Sequence, residues 1–178
     1  MLKRSPNTGF ISSITVLNTE KHLENLMRVI PWEYYKNTKR KVCSIGKEYS
    51  YSGQTQKAVD WSVYPPLKSL VDRINKELGT NFNSALLNWY EANERVGINF
   101  HSDSEPEIVK GSKVLSISLG ETCTFILESK DKEERIEVEL KDGDVFVMGT
   151  NCQLHYLHSC PYTVMEKDRI SLTFRQFK

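Results

Sequence analysis

The sequence predicts an α+β protein, mainly β, with a jelly-roll core preceded by helices. Three observations predict it. Apolar residues recur at helical spacing in two segments before residue 79. From residue 84 the period changes to 2 and stays there through many short segments. Turn residues separate those segments at regular spacing, as in a sandwich or jelly roll. No internal repeat, low-complexity linker or second domain interrupts the 178 residues. The chain therefore reads as a single domain over 1–178. Within it, a helical and basic-aromatic part (1–83) precedes a β core (84–178).

The elements follow in order. Thr19 is placed to cap a helix over Glu20 to Ile30, with Leu23, Leu26, Met27 and Ile30 on one face and Pro31 after its end. Lys36, Lys39, Arg40, Lys41, Lys47 and Lys57 then cluster among Trp32, Tyr34, Tyr35, Tyr49 and Tyr51. Cations mixed with aromatics suit a single-stranded nucleic-acid surface, or simply a solvated face. Pro65-Pro66 opens a second helix, Leu67, Leu70, Val71, Ile74 and Leu78 recur along one face, and Gly79 closes it. The expected strands are 84–91, 96–101, 113–119, 122–128, 134–140, 144–149, 155–158 and 168–177. Glu121 lies at a tight turn after Gly120, and Lys141-Asp142-Gly143-Asp144 is a turn by composition.

Composition narrows the function classes. With 39% hydrophobic residues the chain is expected to fold, and no apolar run approaches the roughly 20 residues of a membrane span. The first residues, Met1-Leu2-Lys3-Arg4, begin no apolar signal segment, so an intracellular protein is expected, with no membrane partner. A net charge of +1 gives no global basic signature. Cys43, Cys123, Cys152 and Cys160 have no secretory spacing and are expected as reduced thiols. Cys152, His155, His158 and Cys160 are four potential zinc ligands. They fall within nine positions, too tight for an ordinary tetrahedral site.

The chemistry-bearing residues lie in the β core. In an extended segment His101 and Asp103 share a face, so an imidazole and a carboxylate converge. With a second histidine they would form a 2-His-1-carboxylate set that holds non-haem iron and leaves open positions. A polar turn over Ser102 to Pro106 explains the same residues, and the second histidine is either His155 or His158. In Arg169-Ile170-Ser171-Leu172-Thr173-Phe174-Arg175 every odd position is polar and every even one apolar. An edge strand would alternate in this way. So would a strand offering two arginines and two hydroxyls to a small dicarboxylate. Asn88 and Tyr90 likewise share a face.

The ordered set Asn88-x-Tyr90, His101-x-Asp103, Gly143-Asp144-Val145 to Met148-Gly149, His158 and Arg169-x5-Arg175 resembles the AlkB family of Fe(II)/2-oxoglutarate dioxygenases, over about residues 40–178. The resemblance implies a double-stranded β-helix (jelly-roll) core with N-terminal helices and a nucleotide-recognition lid. His101, Asp103 and His158 would be the iron ligands. Arg175 would hold the distal carboxylate of 2-oxoglutarate and Arg169 the carboxylate beside its keto group, with Asn88, Tyr90 and Thr173 also on the co-substrate. Tyr49-Ser-Tyr51-Ser-Gly53 resembles the lid. Tyr49 and Tyr51 would then line a base pocket, Glu105 would contact the exocyclic group of the base, and Arg40 with Lys41 would meet phosphates.

The activity implied is Fe(II)- and 2-oxoglutarate-dependent demethylation of N-methylated bases in single-stranded RNA or DNA, RNA favoured, by a monomer. The co-substrates are O2 and 2-oxoglutarate, and the products formaldehyde, succinate and CO2. Glu105 to Leu119 also resembles AlkB-like domains of RNA-virus polyproteins, which would place the protein in host-cell cytoplasm; otherwise the cytoplasm or nucleus is expected. Two other readings share parts of this pattern: a 2-oxoglutarate oxygenase of proteins or small molecules, and a catalytically inactive nucleic-acid-binding jelly roll.

Overall fold

The computed structural model describes residues 6–51 and 54–178, with backbone alone at 49, 51, 54 and 56. In chain order the elements are β1 (Gly9–Ile11), α1 (Thr19–Val29), β2 (Glu33–Tyr34), β3 (Arg40–Ile45), β4 (Tyr49–Tyr51), β5 (Gln54–Gln56), β6 (Ala58–Val59), a 3-10 turn (Trp61–Val63), α2 (Pro65–Leu78), β7 (Ser84–Tyr90), β8 (Arg95–His101), β9 (Val114–Gly120), β10 (Cys123–Ser129), β11 (Arg135–Leu140), β12 (Val145–Met148), α3 (Cys152–His155), β13 (Tyr156–Val164) and β14 (Arg169–Arg175).

The strands form two facing sheets. The larger runs β1-β12-β9-β14-β7-β3-β2, with β6 parallel to β3. The smaller runs β11-β10-β13-β8. Strands from before residue 84 thus belong to the larger sheet, so residue 84 does not separate a helical part from a β part. Their sequences hide this: β1, β2 and β6 are two or three residues long, and β3 mixes Arg40, Lys41 and Ser44 with apolar residues.

The two faces of the larger sheet differ because side chains alternate. The even residues of β14, Ile170, Leu172 and Phe174, are buried in one cluster with Leu115, Ile117 and Leu119 of β9 and Leu87 of β7. Leu26 and Ile30 from the first helix and its C-cap join that cluster, as do Leu67, Val71 and Ile74 of α2. The helices therefore cover the outer face, as their 3.6-residue periodicity requires. Gly79 ends α2 in the left-handed conformation, at φ 62°. Thr19 does not cap α1. Its hydroxyl donates to Asp142 at 2.5 Å, and Asn18 precedes the helix without a side-chain cap.

The inner face of the larger sheet looks toward the smaller sheet. At one end the space is filled by Val114, Phe125, Leu127, Phe146 and Met148. Toward β3, β7 and β14 it is lined by polar side chains and left open. A short helix, α3, precedes β13, where the sequence alone suggested a strand beginning at 155. The lid segment is a backbone hairpin in which Tyr49 pairs with Gln56 and Tyr51 with Gln54. The side chains of Tyr49 and Tyr51, and residues Ser52 and Gly53, lie outside the described residues. No helix among the described residues is long and apolar enough to cross a membrane.

Candidate active site

Strand register assembles the site. β14 is central, paired with β7 on one side and β9 on the other. Arg169, Ser171 and Arg175 are all buried, which rules out the solvent-facing edge strand that alternation alone allowed. Across the sheet, Arg169 stands opposite Tyr90 and Ser171 opposite Asn88, while Arg40 of β3 also pairs with Tyr90. Asn88, Tyr90, Arg169, Thr173 and Arg175 thereby line one cavity of about 800 Å³, counted to its mouth.

His101 and His158 line the same cavity from the smaller sheet, as direct cross-strand partners on β8 and β13. Their rings are 4.2 Å apart. The pairing register shifts just after His158, an irregularity that re-aims side chains. Phe125 stacks on the His158 ring at 5.6 Å. Asp103 follows the end of β8 in a loop, not an extended strand, and its backbone N–H donates to Gln153 Oε1 of α3 at 2.8 Å.

The ligand atoms of His101, Asp103 and His158 all lie within 4.8 Å of one another. His101 Nδ1 lies 2.9 Å from the Asn99 carbonyl; as the N–H tautomer it donates there and turns Nε2 inward. That atom is 4.0 Å from Asp103 Oδ1. Burial would raise the Asp103 carboxyl, but the charges of Arg175, His158 and His101 outweigh it and hold the group well below the usual carboxylate range. Burial, aided by His101, pushes His158 down to about 3, leaving a neutral imidazole. An ionised carboxylate and neutral imidazoles are the states in which these side chains ligate metals.

Unmet hydrogen-bonding capacity shows what the cavity is built to hold. Among the described residues, Asp103 Oδ2, His158 Nδ1, Asn88 Oδ1 and Arg169 Nη1 are buried without a hydrogen-bond partner. Arg169 is 1% exposed and has no carboxylate partner among the described residues; its Nε donates to Ser118 Oγ at 3.2 Å, and its guanidinium sits 5.0 Å over the Tyr90 ring. A buried charge without a counter-ion is costly, so an anionic ligand is the natural complement. Arg175 already has a partner, donating to Asp103 Oδ1 at 2.9 Å. Arg175 therefore stands at the metal-ligand end of the cavity, where the sequence reading had placed the far end of the co-substrate.

Two further expectations change. Arg40 is 8% exposed and lines the cavity, with its guanidinium 4.6 Å over the Tyr35 ring, so it is not a surface phosphate contact. Lys41 lies on the opposite side of β3, bonded to Glu91 at 2.9 Å and over Trp89. Glu105 is half-buried in the loop after Asp103 and is not among the residues lining the cavity. His155, at the end of α3, takes no part, and no Cys/His zinc set forms among the described residues. The sequence reading missed Ser116, Ser118, Cys160 and the supporting Gln153. The serines had a readable signal: Val114-Leu115-Ser116-Ile117-Ser118-Leu119 turns polar at every second position. The free thiols of Cys123 and Cys160 share a hydrogen bond near Arg169; that bond and burial push the Cys160 thiol up, while the same bond and the Arg169 charge, working against burial, bring Cys123 down to about 7.

Two histidines and a carboxylate inside a jelly roll, beside two buried arginines, define a class of proteins built around a facial metal site. Comparison with known proteins agrees. The model of the 2OG-Fe(II) oxygenase superfamily matches residues 15–175, so the chain belongs to that superfamily, on its AlkB branch. Human alpha-ketoglutarate-dependent dioxygenase alkB homolog 3 is 29% identical over 173 residues, 86% of this chain and 59% of that protein. The DNA oxidative demethylase ALKBH2 of Arabidopsis thaliana is 32% identical over 151 residues, 70% of this chain and 48% of that protein. The RNA replication protein of Grapevine virus A (isolate Is 151) is 30% identical over 131 residues, 72% of this chain but 7% of that protein. The chain spans about half the length of the cellular relatives it matches. The structure of OsALKBH1 shares the fold, with a TM-score of 0.66 at 16% identity, covering 98% of this chain and 100% of that one. Iron and 2-oxoglutarate, the groups of the superfamily, fit the unmet donors and acceptors of the cavity.

Proposed function

We propose that this chain removes N-methyl groups oxidatively from bases in single-stranded nucleic acid, RNA ahead of DNA, using Fe(II) and 2-oxoglutarate. One observation carries the reading: the His101/Asp103/His158 set opens into a cavity whose deep arginine, Arg169, has a buried Nη1 without a hydrogen-bond partner and no carboxylate partner among the described residues. The substrate class is supported by the relatives, named a DNA oxidative demethylase and, in the virus, an RNA replication protein. RNA is favoured because no residue stands out as a wedge for opening a duplex, and a single strand yields a base at least cost.

His101 Nε2, Asp103 Oδ2 and a His158 ring nitrogen would hold the iron. When bound, iron and 2-oxoglutarate supply an oxidation by O2 that yields succinate, CO2 and formaldehyde. Arg175, bonded to Asp103, would hold the carboxylate beside the keto group. Arg169, with Ser118 and the face of Tyr90, would hold the distal carboxylate, and Asn88 and Thr173 would orient the chain between. Arg175 also keeps Asp103 ionised, and Asn99 fixes the His101 tautomer, so the ligand set is preorganised. Tyr49, Tyr51 and Glu105 remain the proposed base-recognition residues.

Formaldehyde release from methylated single-stranded oligonucleotides, supplied with iron, 2-oxoglutarate and ascorbate, tests the proposal. Release should disappear in His101→Ala and Asp103→Ala proteins. Release that persisted in either would overturn the mechanism.

A further inference from the structure

Next to the cavity, with Arg40 as the wall between them, lies a groove of about 470 Å³. Lys39, Arg95 and Tyr162 line it, and no carboxylate does. Gly97 also lines it, where β8 meets β13. A Cβ there would lie 2.7 Å from the Tyr162 backbone and the Cys160 carbonyl oxygen, so β8 and β13 approach this closely only at a glycine. Arg95 is exposed and has no carboxylate partner among the described residues. Among the described residues Lys39 has only Glu94 as a carboxylate partner, at 3.5 Å, an exposed pair of the kind that holds weakly. Tyr162 is 41% exposed, an aromatic face presented to solvent. Arg40 Nε, buried behind them, has no hydrogen-bond partner among the described residues.

We propose that this groove carries the sugar–phosphate backbone of a single-stranded nucleic acid beside the nucleotide whose base enters the cavity, with Lys39 and Arg95 on phosphates and Tyr162 against a neighbouring base. The inference rests on the demethylase reading above. A strand that sends one base into the cavity must continue outside it, and the groove starts at the residue the two share. Exposed cations that are weakly paired or lack a carboxylate partner, beside an exposed aromatic ring, are what such a strand binds, without regard to sequence. An acidic peptide would meet the same charges, but nothing in it requires continuity with the cavity.

The test uses anisotropy of a labelled, unmethylated single-stranded 12-mer RNA and Lys39→Glu/Arg95→Glu protein. Binding should weaken at least about tenfold, and the slope of log K against log salt should shrink by roughly 1.4, two phosphate contacts' worth. Arg95→Gln alone should give a smaller loss in the same direction. The charge-matched Lys21→Glu/Lys76→Glu protein, altered on the exposed faces of α1 and α2, should bind as the wild type does. Demethylation of the oligonucleotide, relative to a methylated mononucleotide, should fall with the groove variant alone. Equal weakening in both double variants, or none in the groove variant, overturns the groove while leaving the demethylase reading standing. Polyglutamate bound more tightly than the RNA assigns the groove to an acidic protein instead. Wild-type protein that binds the RNA but releases no formaldehyde from any methylated oligonucleotide overturns the demethylase reading separately.

Discussion

Arg169 and Arg175 are both buried, yet they answer to different partners. Arg175→Ala strips Asp103 of its hydrogen-bonded cation and leaves a carboxylate inside the protein, a change that costs about 3–5 kcal/mol at a buried pair. It should weaken Mn(II) or Co(II) binding as well as 2-oxoglutarate binding. Arg169→Ala removes a guanidinium with no carboxylate partner among the described residues, so metal affinity should hold while KM for 2-oxoglutarate rises about a hundredfold or more. Parallel metal and co-substrate titrations separate the two; matching losses in both variants would reject the assignment of ends.

His158 predicts a pH dependence. Its pKa falls from 6.5 to about 3 on folding, so the unfolded chain binds the extra proton between those values. Metal-free protein should therefore lose stability as pH drops below about 6.5, by up to about 1.4 kcal/mol per pH unit from this group. Asp103, held low instead, keeps its contribution until pH falls below about 4. Urea midpoints at pH 7 and pH 5 should differ less in His158→Asn than in wild type. At this scale the sequence was informative for ligand identity but not for direction. His101-x-Asp103 was legible as a pair, but only the fold shows which arginine stands over the aspartate.

At the level of elements, β14 was legible from alternation because both of its faces are committed, one to packing and one to the cavity. Leu172→Ala should cost about 2–5 kcal/mol of unfolding free energy with little change in KM, since Leu172 belongs to the outer cluster. Gly120 couples the two roles. It has φ 84°, a Cβ there would overlap the Asp168 carbonyl oxygen, and it is the register partner of Arg169. Gly120→Ala should cost about 1–3 kcal/mol and also raise KM for 2-oxoglutarate. Denaturant titration and kinetics on the one variant check both. The elements the sequence concealed were short or mixed. α3 is a single turn, and β3 spreads its cations over opposite faces, Arg40 inward and Lys41 outward. Composition cannot tell those two cations apart; strand parity can.

Across the whole molecule, helices seal the apolar side of the larger sheet, and this frees its other side to be polar. A ligand that fills the cavity should therefore act as a structural part. Excess 2-oxoglutarate with Mn(II), at about a hundred times Kd, should add about 2.7 kcal/mol and raise Tm by roughly 5–10 °C. Chelation should return the protein to its starting Tm, as read by thermal denaturation with and without EDTA. Asp103 is the only buried carboxylate among the described residues, against three buried guanidiniums at Arg40, Arg169 and Arg175. The chamber's own side chains thus carry a surplus of positive charge, and that surplus does not distinguish a reactant from a product of the same charge. On the proposed reaction succinate, also a dianion, would be held by the same arginines after turnover, so added succinate should compete with 2-oxoglutarate and raise its apparent KM.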